Sequence, residues 1–214
     1  MSDEPSTPGT ADPPRARLVR ATVLFADVVG FTDLAETIGS ERAYFVVRGA
    51  VRIVDEIARR HGGAVDKYLS DCLLATFGFP VPNANPAAAA AAAAVEMRDE
   101  LRQYNADLDV PLRLVIGINT GAMVTGDVRG RVARELNILG DAINVAARLK
   151  AKAPYGHIYV GPDTEAESRD LFEYAPLGAM PLKGKKIEVP IFDLVGARAR
   201  PARTAGDAAV PLVG

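Results

Sequence analysis

Tryptophan is absent from this 214-residue chain, cysteine occurs once, histidine twice, and only 6% of positions are aromatic. A single cysteine, Cys72, can build neither a disulfide framework nor a thiolate zinc site within one chain. The two histidines, His61 and His157, stand far apart in the sequence and read as structural, and Cys72 reads as core packing. Net charge is scarce as well. With 25 basic and 27 acidic residues the formal charge is −2, which argues against a protein that lives on nucleic acid or on an anionic membrane. Any phosphate-binding site must therefore be local. Long apolar runs are also missing: the alanine stretch Ala87 to Val95 passes straight into "EMRDELRQYN", far short of the about 20 residues a spanning helix needs. No membrane span is expected. The opening "MSDEPSTPGTADPPRAR" has no apolar core of a signal peptide, so residues 1–17 are expected to be a disordered leader, and the location cytoplasmic.

What is present is enough for one core. At 49% apolar and 24% charged residues, a single globular domain over residues 18–196 is expected, followed by an aperiodic, disordered tail over 197–214. Val19 to Ala26 is rich in β-branched and apolar residues and predicts a buried strand. Helical spacing then runs from Thr32 to His61, closed by "HGG". "AVDKYL" and "CLLATFG" predict a hairpin turning at Ser70-Asp71, and Asn85-Pro86 opens a helix to about Tyr104. A strand "PLRLVIGINTG" closing at Gly121, a basic hairpin arm, a helix over about Asp141 to Lys152 and strands at "HIYVG" and "EVPIFDLV" complete the order. The expected class is α+β: a ferredoxin-like βαββαβ sandwich with additional C-terminal strands and a hairpin arm, helices on one side of the sheet.

Two acids interrupt this pattern. Asp27 follows the first buried strand and Asp71 sits in the hairpin turn, and central strands lie about 4.8 Å apart, so the two can converge. Paired bare carboxylates repel unless a cation sits between them, and hard oxygen ligands without His or Cys favour Mg²⁺ or Mn²⁺. The other possibility is that Asp27 caps the following helix and Asp71 is an ordinary turn acid. Next to Asp27, Gly30 permits close approach of the backbone, and the N–H groups of Gly30, Phe31 and Thr32 open a helix as a phosphate cradle. A metal site beside a cradle suggests a nucleoside triphosphate.

In order and at sensible spacing, "VLFADVVGFTDL", "DKYLSDCLLATFG", "IGINTGAMVTGDV", "LGDAINVAARL" and "LKGKK" resemble the successive motifs of class III adenylate/guanylate cyclase catalytic domains, over about Thr22 to Val195. The resemblance, of the bacterial type and nearer adenylate cyclases, implies two Mg²⁺ or Mn²⁺ ions per active site on Asp27, Asp71 and the Val28 carbonyl. It implies that the ribose 3′-hydroxyl of ATP attacks the α-phosphorus, giving 3′,5′-cyclic AMP and pyrophosphate. By the same resemblance Asn144 orients the ribose and Arg148, one turn later, steadies charge at the α-phosphate. Lys183 matches a lysine reaching the terminal phosphates, and Arg131 or Arg134 of the arm adds to phosphate binding. In this family the sites are shared between protomers, so a homodimer with two equivalent sites is implied.

Lys67 matches the base-selecting lysine of the family; its ammonium only donates, which suits adenine N1 and opposes the protonated N1 of guanine. The chain departs from the pattern twice. Asn137 stands where adenylate cyclases of the family usually carry Asp or Thr, and an amide can serve either base. Ser70 stands where the hairpin usually has glycine, at a cost of roughly 1 kcal/mol if φ is positive there. The alternative reading is a degenerate cyclase-like module that binds nucleotide or a partner without turnover, or a cyclase of relaxed base selectivity. A cyclic-dinucleotide synthase is disfavoured because "GG" at Gly62 and Gly63 precedes Ala64, not an acid.

Overall fold

A computed structural model describes residues 16–126, 137–181 and 188–199. Strand β1 (Arg17–Val29) is buried on both faces through its centre, as its nearly unbroken apolar run requires. Ala21, Val23 and Phe25 face one side of the sheet, Leu24, Ala26 and Val28 the other. Two helices follow where one was expected. Helix α1 (Phe31–Ile38) ends at Gly39, whose φ of 87° an L side chain rarely adopts, and α2 (Ser40–Arg60) begins immediately after it. Strands β2 (Ala64–Leu69) and β3 (Cys72–Phe77) form the hairpin.

Helix α3 (Pro86–Tyr104) starts where predicted, with the Asn85 side-chain oxygen accepting from Ala88 N–H at 2.9 Å and proline in the first turn. Its buried face is six alanines, Met97 and Leu101, so the helix lies close against the sheet. Strand β4 (Arg113–Gly126) continues past Gly121, and β5 (Asn137–Leu139) returns antiparallel to it; the rest of the expected hairpin arm lies outside the described residues. Then come α4 (Asp141–Lys152), β6 (Ile158–Val160), α5 (Pro162–Ser168), β7 (Phe172–Met180) and β8 (Val189–Ala197). Neither α5 nor β7 was foreseen. Helix α5 is seven mostly polar residues with no apolar period, and β7 carries Pro176, Gly178 and two register shifts against β8.

The sheet runs β2-β3-β1-β4-β6-β8-β7, with β5 paired to β4 beside this path. Its first four strands have the ferredoxin-like order, all antiparallel, and β4 pairs β6 in parallel. The expectation that helices occupy one face needs correction. Helices α1 to α3 cover the face of Leu24, Ala26 and Val28, whereas α4 lies on the opposite face over Ala21, Val23 and Phe25. Beside the apolar side chains, backbone meets backbone at Gly117 of β4, where a Cβ would sit 2.3 Å from both Ala146 O and Lys150 N of α4. No helix among the described residues is long and apolar enough to cross a membrane.

Candidate active site

Asp27 does not end its strand. It lies within β1, opposite Cys72 of β3 and Val115 of β4, and its alternation carries it to the α4 face. There it meets a residue that no motif pointed to: Lys150 Nζ is 2.6 Å from Asp27 Oδ2, with the two side chains 23% and 18% exposed. Burial works against the charge on Lys150, but the hydrogen bond and charge of Asp27, with help from Cys72 and Asp71, outweigh it, and the amine titrates above its ordinary value. In the sequence, Lys150 was only a base in the last turn of a helix, where the dipole favours one. Burial, with the nearby charge of Asp27 adding to it, pushes the Cys72 thiol up to about 12, so Cys72 is an inert core residue.

Asp71 is joined to this strand by its backbone. Val28 N–H donates to Asp71 C=O at 3.1 Å, which sets the turn acid beside the end of β1. The two carboxylates nevertheless border different cavities of the single chain. Asp71 opens on a groove of about 790 Å³ shared with Phe31, Tyr44, Arg48, Arg52 and Tyr68. Asp27 and Lys150 open on a cleft of about 520 Å³ with Val115, Pro154 and Tyr155. Between the strands, Ser70 has φ 63°, and it is the one non-glycine residue with positive φ among those described. Replacing it relieves that strain: Ser70→Gly is expected to raise unfolding stability by ~0.5–1 kcal/mol, read as a higher urea midpoint at unchanged slope.

Asp27 is not a helix cap. The N-cap position of α1 is Gly30, at φ 127°, with no side-chain cap bond, and the first helical bond runs from Leu34 N–H to Gly30 O at 3.1 Å. The N–H groups of Phe31, Thr32 and Asp33 thus have no acceptor within the helix. An uncapped helix start therefore sits just beyond the two acids, with Gly30 half-buried and Phe31 and Thr32 exposed.

Lys67 lies in β2 next to a register shift, half-buried, with Nζ 3.2 Å from Oδ2 of the buried Asp66. Asn144, exposed, and Arg148, half-buried, share one face of α4, and the side chain of neither makes a hydrogen bond or ion pair with another described residue. Lys150 projects from another face, about 200° round the helix from Arg148 and about 240° from Asn144. The structure thus brings Asp27, Val28, Asp71, Gly30, Phe31 and Thr32 together at one end of the central strands, and turns Asn144 and Arg148 of the same chain away from Asp27. Asn137 opens β5 opposite Gly126 by its backbone, while its side chain lies outside the described residues. Lys183, Arg131 and Arg134 also lie outside them.

Among the described residues no cluster of three or more His, Cys, Asp or Glu side chains could enclose a metal. An ion here would draw on two carboxylates, a backbone carbonyl, water and substrate oxygens, the donor set that Mg²⁺ and Mn²⁺ accept. Asp27 already attracts a cation, the Lys150 ammonium, so the donors fit.

Comparison with known proteins gives concordant results. The sequence profile of the family described as "Adenylate and Guanylate cyclase catalytic domain" matches residues 15–194. The chain is 27% identical over 195 residues to adenylate cyclase 1 of Rhizobium meliloti (strain 1021), covering 88% of this chain and 29% of that protein. The chain therefore spans less than a third of the length of that relative. In three dimensions it is similar to the adenylyl cyclase CyaB from P. aeruginosa, at TM-score 0.80 and 27% identity over 86% of this chain and 97% of the other. It is also similar to the guanylyl cyclase Cya2, at TM-score 0.75 and 28% identity over 88% and 97% of the two chains.

Proposed function

The chain belongs to the adenylate and guanylate cyclase catalytic-domain family, and from that premise we propose that it is an adenylate cyclase, converting ATP to 3′,5′-cyclic AMP and pyrophosphate as a cytoplasmic homodimer with two shared active sites. One observation carries the reading: a carboxylate holding a cation at 2.6 Å, with a second acid and an uncapped helix start beside it. Cation and anion sites adjoin, which is what a metal-bound polyphosphate needs.

Asp27, Asp71 and the Val28 carbonyl would hold Mg²⁺ or Mn²⁺, two ions per site. Bound there, the metal supplies Lewis-acid polarisation of the 3′-hydroxyl and of the phosphate oxygens. The chain's own groups do the rest. The N–H groups of Gly30, Phe31 and Thr32 take phosphate oxygens, joined by Lys183 and Arg134. Lys67 donates to adenine N1, and the Asn137 carbonyl accepts from the adenine amino group. Asn144 orients the ribose, and Arg148 stabilises charge growing on the α-phosphate. Lys67, Asn137, Asn144 and Arg148 would come from the protomer opposite the one that supplies Asp27 and Asp71. Support for this lies in α4, which directs Lys150 to Asp27 of its own chain and presents Asn144 and Arg148 on another side.

The experiment is product analysis with ATP or GTP and either metal. Cyclic AMP and pyrophosphate are expected, with kcat/KM for ATP at least about tenfold above that for GTP. Comparable rates on the two nucleotides would replace this reading by a cyclase of relaxed selectivity, the reading that the similarity to a guanylyl cyclase favours. No product with either metal or nucleotide, at concentrations where the protein is dimeric, would leave the nucleotide-binding module.

A further inference from the structure

We propose that Lys150 is a built-in counter-cation for Asp27, set on the carboxylate that a divalent ion would bind, so that the ion competes with it and displaces it on binding. The proposal rests on the reading of Asp27 as a metal ligand, and adds to it a competitor supplied by the same chain. Three features of the structure support it.

The first is the contact itself. The ammonium lies 2.6 Å from Asp27 Oδ2, about four-fifths of each side chain is withdrawn from water, and no other acid pairs with Lys150 among the described residues. A contact so shielded is screened less by water and salt than a surface pair.

The second is that the helix cannot drift away with it. Lys150 N and Ala146 O lie where a Cβ of Gly117 would be, at 2.3 Å each, so α4 is seated on β4 by backbone contact at this residue. The base of the side chain is fixed while its four-carbon stem remains free to rotate. The third is an exit: the cleft of about 520 Å³ that holds the pair continues along Ala151, Ala153, Pro154 and Tyr155, and gives the ammonium room to swing aside.

A divalent ion on Asp27 and an ammonium on the same carboxylate would repel one another at close range, so the ion binds more tightly once the ammonium has swung aside. Lysine then serves the metal-free state, neutralising a carboxylate that would otherwise be left partly buried and bare. It also weakens metal binding, because the ion competes with the ammonium for the carboxylate.

Mn²⁺ titration of nucleotide-free protein, with free ion followed by electron paramagnetic resonance, tests this. Lys150→Met, which keeps the stem and removes the charge, is expected to bind Mn²⁺ about tenfold tighter than wild type. Lys150→Arg, which keeps the charge, should stay within about twofold of wild type. Equal or weaker Mn²⁺ binding by Lys150→Met, with binding still lost in Asp27→Asn, would overturn the counter-cation alone. Undiminished binding in Asp27→Asn, or no saturable binding to Lys150→Met, would overturn it together with the metal role of Asp27.

A second measurement uses the unaltered protein. Acylation of Lys150 by an amine reagent, read by peptide mass spectrometry, should accelerate several-fold at saturating Mn²⁺ as the amine leaves its carboxylate. An unchanged rate would overturn the proposal.

Discussion

An equimolar mixture of the Asp27→Ala and Arg148→Ala proteins is expected to regain about a quarter of the wild-type rate, from two components that are each down by about a hundredfold or more. The arithmetic follows from C2 symmetry. Random pairing makes half of all dimers mixed, and each mixed dimer combines the intact Asp27 of one chain with the intact Arg148 of the other in one of its two sites. The second site carries both lesions. Recovery discriminates because α4 directs Lys150 to its own Asp27 and presents Arg148 about 200° away, so one chain cannot readily supply both groups to one site. Absence of recovery, with mixed dimers verified by differential tagging, would sink the shared-site mechanism and leave the family assignment untouched.

Gly117→Ala is expected to be the most damaging small substitution in the fold. Its new methyl group would stand 2.3 Å from Ala146 O and from Lys150 N, backbone atoms that yield only if the whole of α4 lifts from β4. Overpacking of this kind costs ~1–3 kcal/mol or more, and displacement of α4 moves Asn144, Arg148 and Lys150 at once. Both the urea midpoint and turnover should fall. Gly196→Ala is the control: nothing lies within 4 Å of that position, so stability should stay within about 0.5 kcal/mol of wild type. A Gly117→Ala protein as stable as this control would show that α4 is more loosely seated than the structure has it.

The parts of the fold that were legible in the sequence are those written in local chemistry. The apolar run through Ala26, the Asn85-Pro86 helix start and the turn at Ser70-Asp71 each depend on neighbours a few residues away, and each is where the pattern placed it. Gly39 was also readable in principle, but helical spacing continues on both sides of it and hid the break between α1 and α2. Helix α5 and strand β7 left no periodic signal, because short polar or bulged segments are held by what they pack against.

The site divides in the same way. Asp27, Gly30 and Asp71 stand out as residue types that break an apolar pattern. Lys150 does not, since a base at a helix C-terminus is ordinary, and its partner is 123 positions away in the chain. The opposed directions of Lys150 and Arg148 on α4 also needed the helix to be placed on the sheet first. The strained φ of Ser70 was anticipated as a condition and is met at 63°.

The alanine face of α3 has a consequence for how firmly Asp27 is held. Alanine has no χ rotamer to lose on burial, whereas long side chains each give up ~1.5–2 kcal/mol of conformational entropy. The helix that backs β1 and β4 from behind therefore orders most of its inner surface at the expense of main-chain freedom alone. It is a buttress with few internal moving parts: Ala87, Ala88, Ala90, Ala91, Ala93 and Ala94 have no alternative side-chain packings through which β1 could settle into a second position.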